Sequence, residues 1–180
     1  MNTDWEQASA LEVVATVIQH LRSHGIEATL VGGACVSIYS HNRYQSSDLD
    51  LVTAASLKQL ASALAELGFD RIGRGREFRR QDCGFYLDFL HPPVAVGGEA
   101  VETAQVVHTE WGALPLLTPT DCIKDRLAAY YHWSDPQSLE QAVMIARAQA
   151  AQVDLAELER WSKREGHLKK FQVFRIKLED

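Results

Sequence analysis

The residues best placed to do chemistry lie in Asp48-Leu49-Asp50-Leu51-Val52, a short distance after the glycine pair Gly32-Gly33. Polar and apolar residues alternate here with the period of a strand. Asp48 and Asp50 therefore share one face, and Leu49 and Leu51 take the other. Two carboxylates on one strand face, roughly 6–7 Å apart by the strand rise, repel each other unless a cation sits between them. Hard divalent cations, held by carboxylates and by the phosphates of a substrate, meet that need. Upstream, Thr29-Leu30-Val31 reads as a strand that runs straight into the glycines. Paired glycines turn the chain sharply and leave room for a ligand to approach the backbone. A short helix over Ala34–Tyr39 would then aim its free N–H groups back at the turn, where they suit a phosphate.

A third carboxylate stands in Phe85-Tyr86-Leu87-Asp88-Phe89-Leu90, a strong strand broken by His91-Pro92-Pro93. An aspartate within so apolar a run is costly unless it is paired, or unless the strand lies at an edge in water. Neither an acidic-x-acidic triplet nor a glycine pair is specific alone. Strand, glycine pair, short helix and acidic strand in that order are much rarer together. The plainer alternative makes Gly32-Gly33 an ordinary turn and the aspartates a solvated strand edge.

Residues 30–52 resemble the signature of the nucleotidyltransferase fold superfamily, which includes DNA polymerase β, aminoglycoside nucleotidyltransferases and the minimal nucleotidyltransferases. That signature is an apolar residue, Gly-Gly or Gly-Ser, a short helix and loop, then Asp-apolar-Asp-apolar. Here it stands as Val31-Gly32-Gly33 and Asp48-Leu49-Asp50-Leu51. Ala34 after the glycines and Arg43-Tyr44-Gln45-Ser46-Ser47 before the aspartates are most similar to the bacterial branch of abortive-infection-type toxin nucleotidyltransferases. The resemblance also touches the strand at Asp88 and the helix at Lys124. It implies an α+β fold with a short mixed β-sheet flanked by helices and a C-terminal helical extension. Asp48, Asp50 and Asp88 become the catalytic residues and hold magnesium, with two ions the expected number. Gly32, Gly33, Ser47 and Lys124 would hold the nucleotide, and Asp135 would match a further aspartate of that branch. The lysine and arginine usual between those two positions do not stand in register, and Ser134 occupies one such place.

The implied reaction moves an NMP from an NTP to a hydroxyl acceptor, which could be an RNA end, a protein or a small molecule. A cognate partner protein, as in toxin–antitoxin pairs, is also implied. An alternative keeps the fold but makes the protein a nucleotide-binding or antitoxin-like partner with little catalysis; three retained, mutually repelling carboxylates argue against it. A weaker alternative is an RNA-binding module that uses the basic tail.

Several elements must position these groups. Leu11, Val14, Ile18 and Leu21 give a helix over 5–24, stopped by Gly25, and Leu57 to Leu67 gives a second, closed by Gly68. Phe69–Ile72 and the Gly73/Gly75 pair read as a hairpin or a mobile loop. Val94–Ala104 reads as loop, and Ala104–His108 and Ala113–Leu117 as short strands. Thr118-Pro119-Thr120-Asp121 is a strong helix start. Helices follow over 119–133, 136–151 and 154–165, and the tail from Leu168 fits either a helix or a strand. The catalytic core is expected over 1–117, with a helical part over 118–180 packed on it.

At 180 residues, 46% apolar and 23% charged, the chain has the composition of an ordinary globular protein. The N-terminus lacks the pattern of a signal peptide, no apolar run reaches membrane-spanning length, and Cys35, Cys83 and Cys122 have no C-x-x-C spacing. These features suggest a cytoplasmic protein with packed, reduced thiols. A formal charge of −6 disfavours a broad nucleic-acid-coating surface, although charge is locally basic over Arg71–Arg80 and in the tail. The first of these runs reads either as a solvated face or as a phosphate-facing loop. His20 and His24 share a helix face at i, i+4, but the sequence offers no evident third ligand, so they read as surface histidines.

Overall fold

The structure is a computed structural model that describes residues 3–101 and 104–180. Strands β1 (Thr29–Val31) and β2 (Asp48–Val52) flank helix α2 (Gly33–Tyr39), and helix α1 (Ala10–Ser23) precedes them. Helix α3 (Leu57–Glu66) leads into the hairpin of β3 (Asp70–Ile72) and β4 (Glu77–Arg79), followed by β5 (Tyr86–Leu90). After β6 (Ala95–Val96) and β7 (Glu99–Ala100) come β8 (Gln105–Thr109) and β9 (Gly112–Leu116). The chain closes with α4 (Pro119–Trp133), α5 (Pro136–Ala148), α6 (Leu155–Arg164) and α7 (Leu168–Glu179).

Seven strands form one mixed sheet in the order β3-β4-β5-β2-β1-β9-β8. β2 sits inside it, antiparallel to β1 and parallel to β5. Central placement protects the acidic strand from the edge of the sheet. The period of two then divides its side chains: Leu49 and Leu51 are fully buried, as are Leu87 and Phe78 on the neighbouring strands. They join Val14, Ile18 and Leu21 of α1 and Leu60 and Leu64 of α3 in one continuous core. The C-terminal helices contribute Leu127, Ile145, Leu158, Trp161, Phe171 and Phe174 to the same cluster.

Local chemistry sets the helix ends. Ser9 caps α1 by accepting from the Glu12 N–H, so that helix begins later than residue 5. Ser56 and Gln59 form a reciprocal capping box at α3. Thr118 accepts from the Asp121 N–H at the start of α4, with Pro119 in its first turn. The tail is a helix because Phe171 and Phe174, three residues apart, both enter the core. The Val94–Ala104 stretch, expected as loop, contains the small antiparallel pair β6 and β7. Positions 102 and 103 lie outside the described residues. All three cysteines are buried and free. Among the described residues, no helix is long and apolar enough to cross a membrane.

Candidate active site

Strand register builds the site. Val31 on β1 lies opposite Asp50 on β2, which lies opposite Asp88 on β5, which lies opposite Glu77 on β4. Residues paired across a sheet point to the same face, so this row presents three carboxylates in succession. Two residues along the strands, Asp48 pairs with Tyr86, which pairs with Arg79. The Arg79 guanidinium rests over the Tyr86 ring, 4.9 Å from its centroid. The sheet thus has an apolar face in the core and a polar face carrying Asp48, Asp50, Asp88, Glu77 and Tyr86.

These five residues line a hollow of about 300 Å³. A second hollow, of about 330 Å³, is lined by Val31, Gly32, Asp50, His91, Asp125 and Arg126, among others. Asp50 is the one carboxylate that lines both. Its environment raises its pKa to about 6: burial contributes most, then the charges of Asp88 and Asp48, while Arg126 opposes the rise. A broad, shallow depression of about 900 Å³, lined by Glu6, Gly68 and residues of the 79–84 segment, is larger. Its carboxylates, Glu6, Asp70 and Asp82, share it with Arg79 and Arg80, and Asp82 is paired with Arg80, so size alone does not recommend it.

Gly32 and Asp50 fit one another closely. Gly32 caps α2 at φ +68°, and a Cβ there would stand 2.2 Å from Asp50 Oδ2. Only glycine allows both that backbone angle and that approach. Gly33 is less tightly constrained: its added Cβ would lie 3.0 Å from Ser46 Oγ. Ser46 Oγ in turn donates to the Asp48 carbonyl at 3.0 Å and fixes the entry to β2. Ser47 is exposed beside the acidic row, with its hydroxyl 3.4 Å from Asp48 Oδ1 and its carbonyl accepting from the Tyr86 N–H.

The structure therefore brings together Asp48, Asp50 and Asp88, with Gly32 directly behind Asp50 and Ser47 beside Asp48. It does not bring Lys124 to them. Lys124 is buried, its ammonium donates to Glu157 at 3.1 Å, and Asp121 lies 3.7 Å away. Glu157 also accepts from Arg160 and Arg164. Burial would raise the Glu157 pKa, but the hydrogen bonds from Arg164 and Lys124 outweigh it and hold the carboxyl down to about 2. The cation facing the second hollow is Arg126, two residues further along α4, where helical rotation points a side chain in another direction. Arg126 forks onto the Asp125 carboxylate and donates to Gln141 Oε1 at 3.3 Å. The resemblance points to Lys124 and not to Arg126. The signal for it was the shared helix, and choosing between the two residues required the position of α6.

Asp135 caps α5, accepting from the N–H groups of Gln137 and Ser138. The basic run over 71–80 is largely spent on the fold. Arg71 donates to the Gly75 carbonyl, Arg76 to those of Phe89 and Ala55, and Arg80 to that of Leu67. In the tail, Lys170 donates to the Tyr130 and Tyr131 carbonyls at the end of α4.

The Asp48, Asp50 and Asp88 carboxylates are a hard, all-oxygen donor set that could hold a divalent cation, whose charge would relieve their mutual repulsion. They could also hold a polyphosphate through such an ion.

No protein-family model matches the chain, and no curated protein matches it either. Solved structures do. An antigenic nucleotidyltransferase-like protein from Paracoccidioides brasiliensis superposes with a TM-score of 0.55 at 15% identity, over 89% of this chain and 92% of that one. The solution structure of the antibiotic-resistance factor ANT(2'')-Ia gives a TM-score of 0.52 at 16% identity, over 92% and 98% of the two chains. The crystal structure of ANT(2'')-Ia in complex with adenylyl-2''-tobramycin gives 0.54 at 13% identity, over 88% and 99%. The α+β architecture is that of the nucleotidyltransferase fold.

Proposed function

We propose that the protein is a metal-dependent nucleotidyltransferase that transfers an NMP from an NTP to a hydroxyl acceptor. The observation that carries this reading is the register pairing of Asp50 with Asp88, with Asp48 on the same face and Gly32 packed against Asp50. A structural role gives no reason to gather three like charges and to bury one of them.

In this reading, Asp48, Asp50 and Asp88 hold the divalent cation. When bound, the cation supplies charge neutralisation for the triphosphate and lowers the barrier to attack by the acceptor oxygen. The nucleotide occupies the hollow between Gly32 and Arg126, where the glycines leave the backbone open to phosphate oxygens and the guanidinium offers planar paired donors. Asp125 keeps the Arg126 guanidinium oriented, and Ser47 adds a hydroxyl beside Asp48. The acceptor enters on the Glu77 and Tyr86 side. Its oxygen bonds to the α-phosphorus as the bond to the departing pyrophosphate breaks, and its proton passes to Asp88. A cation bound there would favour the carboxylate form of Asp50 over the protonated form.

The fold neighbour solved with adenylyl-2''-tobramycin makes a small molecule one acceptor class to test, beside RNA ends and protein hydroxyls. The finer assignment to the abortive-infection-type branch, with a cognate partner protein, draws its support from Val31–Ala34 and Arg43–Ser47. The Lys124 part of that pattern is engaged with Glu157. The test supplies each α-labelled NTP and magnesium with separate pools of RNA, protein and metabolites, using wild type and Asp48→Asn. Label transferred by wild type and lost in the variant is expected. Folded, nucleotide-binding wild type that labels no pool would instead favour the binding-partner role.

A further inference from the structure

A separate cluster lies where α1 and α3 meet. His20 on α1 and His24, which caps the C-terminus of that helix, have ring centroids 4.6 Å apart. Glu66, the last residue of α3, reaches across to them: its Oε1 is 3.0 Å from His24 Nε2 and its Oε2 is 3.7 Å from His20 Nε2. One donor atom from each residue lies within 4.8 Å of the other two. We propose that His20, His24 and Glu66 bind a transition-metal ion of the zinc class, which ties the C-terminal ends of α1 and α3 together.

The donor types support this choice. Two imidazoles and one carboxylate are a borderline nitrogen and oxygen set, suited to zinc, cobalt or nickel, and unlike the all-oxygen set of Asp48, Asp50 and Asp88. A tetrahedral site with bonds of ~2 Å has donor separations of roughly 3.4 Å, close to the His24–Glu66 distance. Three protein ligands leave a fourth position for water, and the exposure of His24 and Glu66 lets water reach it.

The His24 ring is also steadied in the manner of a metal ligand. His24 Nδ1 lies 3.0 Å from the His20 carbonyl, so a proton there leaves Nε2 as the lone pair on the Glu66 side. His20 Nε2, the nitrogen 3.7 Å from Glu66 Oε2, also lies 2.8 Å from the Ala63 carbonyl, so the His20 ring must turn from that carbonyl to offer a lone pair to the ion. Imidazoles that bind metals commonly donate the other N–H to a backbone carbonyl, which sets the tautomer and strengthens the ligand. Ile18 and Leu21 of α1 and Leu60 and Leu64 of α3 are fully buried in one core, so the two helices are held in place before any ion arrives. Binding therefore requires side-chain adjustment alone.

The alternative is that His24 and Glu66 form an ion pair and nothing more. The full chain, stripped with chelator and returned to millimolar magnesium to fill the carboxylate site, is titrated with Zn²⁺ and separately with Co²⁺. Equilibrium dialysis and the visible spectrum of the cobalt form are read. One equivalent is expected to bind at micromolar concentration or tighter, with a low-symmetry cobalt spectrum and a higher melting temperature. His24→Ala and Glu66→Gln should each weaken binding about tenfold or more. Asp48→Asn/Asp50→Asn should bind as wild type does, which separates this site from the catalytic reading. Circular dichroism of each variant checks that it is folded. Failure of wild type to bind in the micromolar range, or equal binding by a folded His24→Ala, overturns the proposal.

Discussion

A Cβ atom at position 32 would stand 2.2 Å from Asp50 Oδ2, and the backbone of Gly32 sits at φ +68°. Gly32→Ala thus meets two obstacles at once. Strain in the left-handed region costs on the order of 1–3 kcal/mol, and Asp50 must also move from its place. Chemical denaturation should show the stability loss, and label transfer should fall to background because the displaced carboxylate no longer faces Asp88. A variant with wild-type stability and transfer would show that the contact is unimportant.

Asp50 should leave its mark on the pH dependence of the metal-free protein. Its folded pKa, about 6, lies above the ordinary 3.8, because of burial and the neighbouring Asp88 and Asp48 charges. The folded state therefore holds this proton more tightly than the unfolded state does. The stabilisation is fully present below pH 4 and is lost as pH rises through 6. Thermal melts in chelator should show a decline over that window that Asp50→Asn lacks. At pH 8 the variant should be more stable than wild type, by roughly 1–2 kcal/mol once partial solvent screening is allowed for. Parallel profiles for the two proteins would mean that Asp50 is an ordinary solvated carboxylate.

Adding ions should reverse that order. Magnesium, and more so magnesium with a non-hydrolysable NTP, binds the folded state and raises the melting temperature of wild type by mass action. Asp50→Asn and Asp48→Asn lose most of that response, and each abolishes transfer while the fold survives. A melting temperature indifferent to magnesium with nucleotide present would remove the converging metal site.

Lys124 and Arg126 should separate cleanly. Arg126→Ala weakens binding of magnesium–ATP by about 1–3 kcal/mol, the scale for losing a charged hydrogen-bond donor. Lys124→Met leaves that affinity unchanged but lowers stability, since Glu157 and Asp121 lose a buried partner. Calorimetric titration of both variants, with denaturant melts alongside, decides the matter. The opposite pattern would return Lys124 to the phosphates.

The acidic strand was legible because alternation over Asp48–Val52 specifies face directly, and the apolar run around Asp88 needed only a neighbour. The start of α4 followed from similarly local rules, and the fold class from the resemblance carried by residues 30–52. The engagement of Lys124 could not be read locally, because a helix carries charges on several sides, and what each side meets depends on elements far away in sequence. Glu157, its partner, stands on α6. Glu66 completes the histidine pair only because α3 packs against α1, which no local pattern announces. The 94–104 region was read as loop because two-residue strands are too short to show any period. The pattern of the tail suits a helix or a strand equally, and it is the core contact of Phe171 and Phe174 that selects the helix.

Asp50 forms a wall common to the hollow beside Arg126 and the hollow beside Glu77. A ligand that fixes its charge from one side changes the field felt on the other. The two occupants are then thermodynamically linked, and linkage is reciprocal: if nucleotide tightens the hold on the acceptor by some factor, acceptor tightens nucleotide by the same factor. Through one shared carboxylate, two hollows of a small protein can be coupled without a moving part.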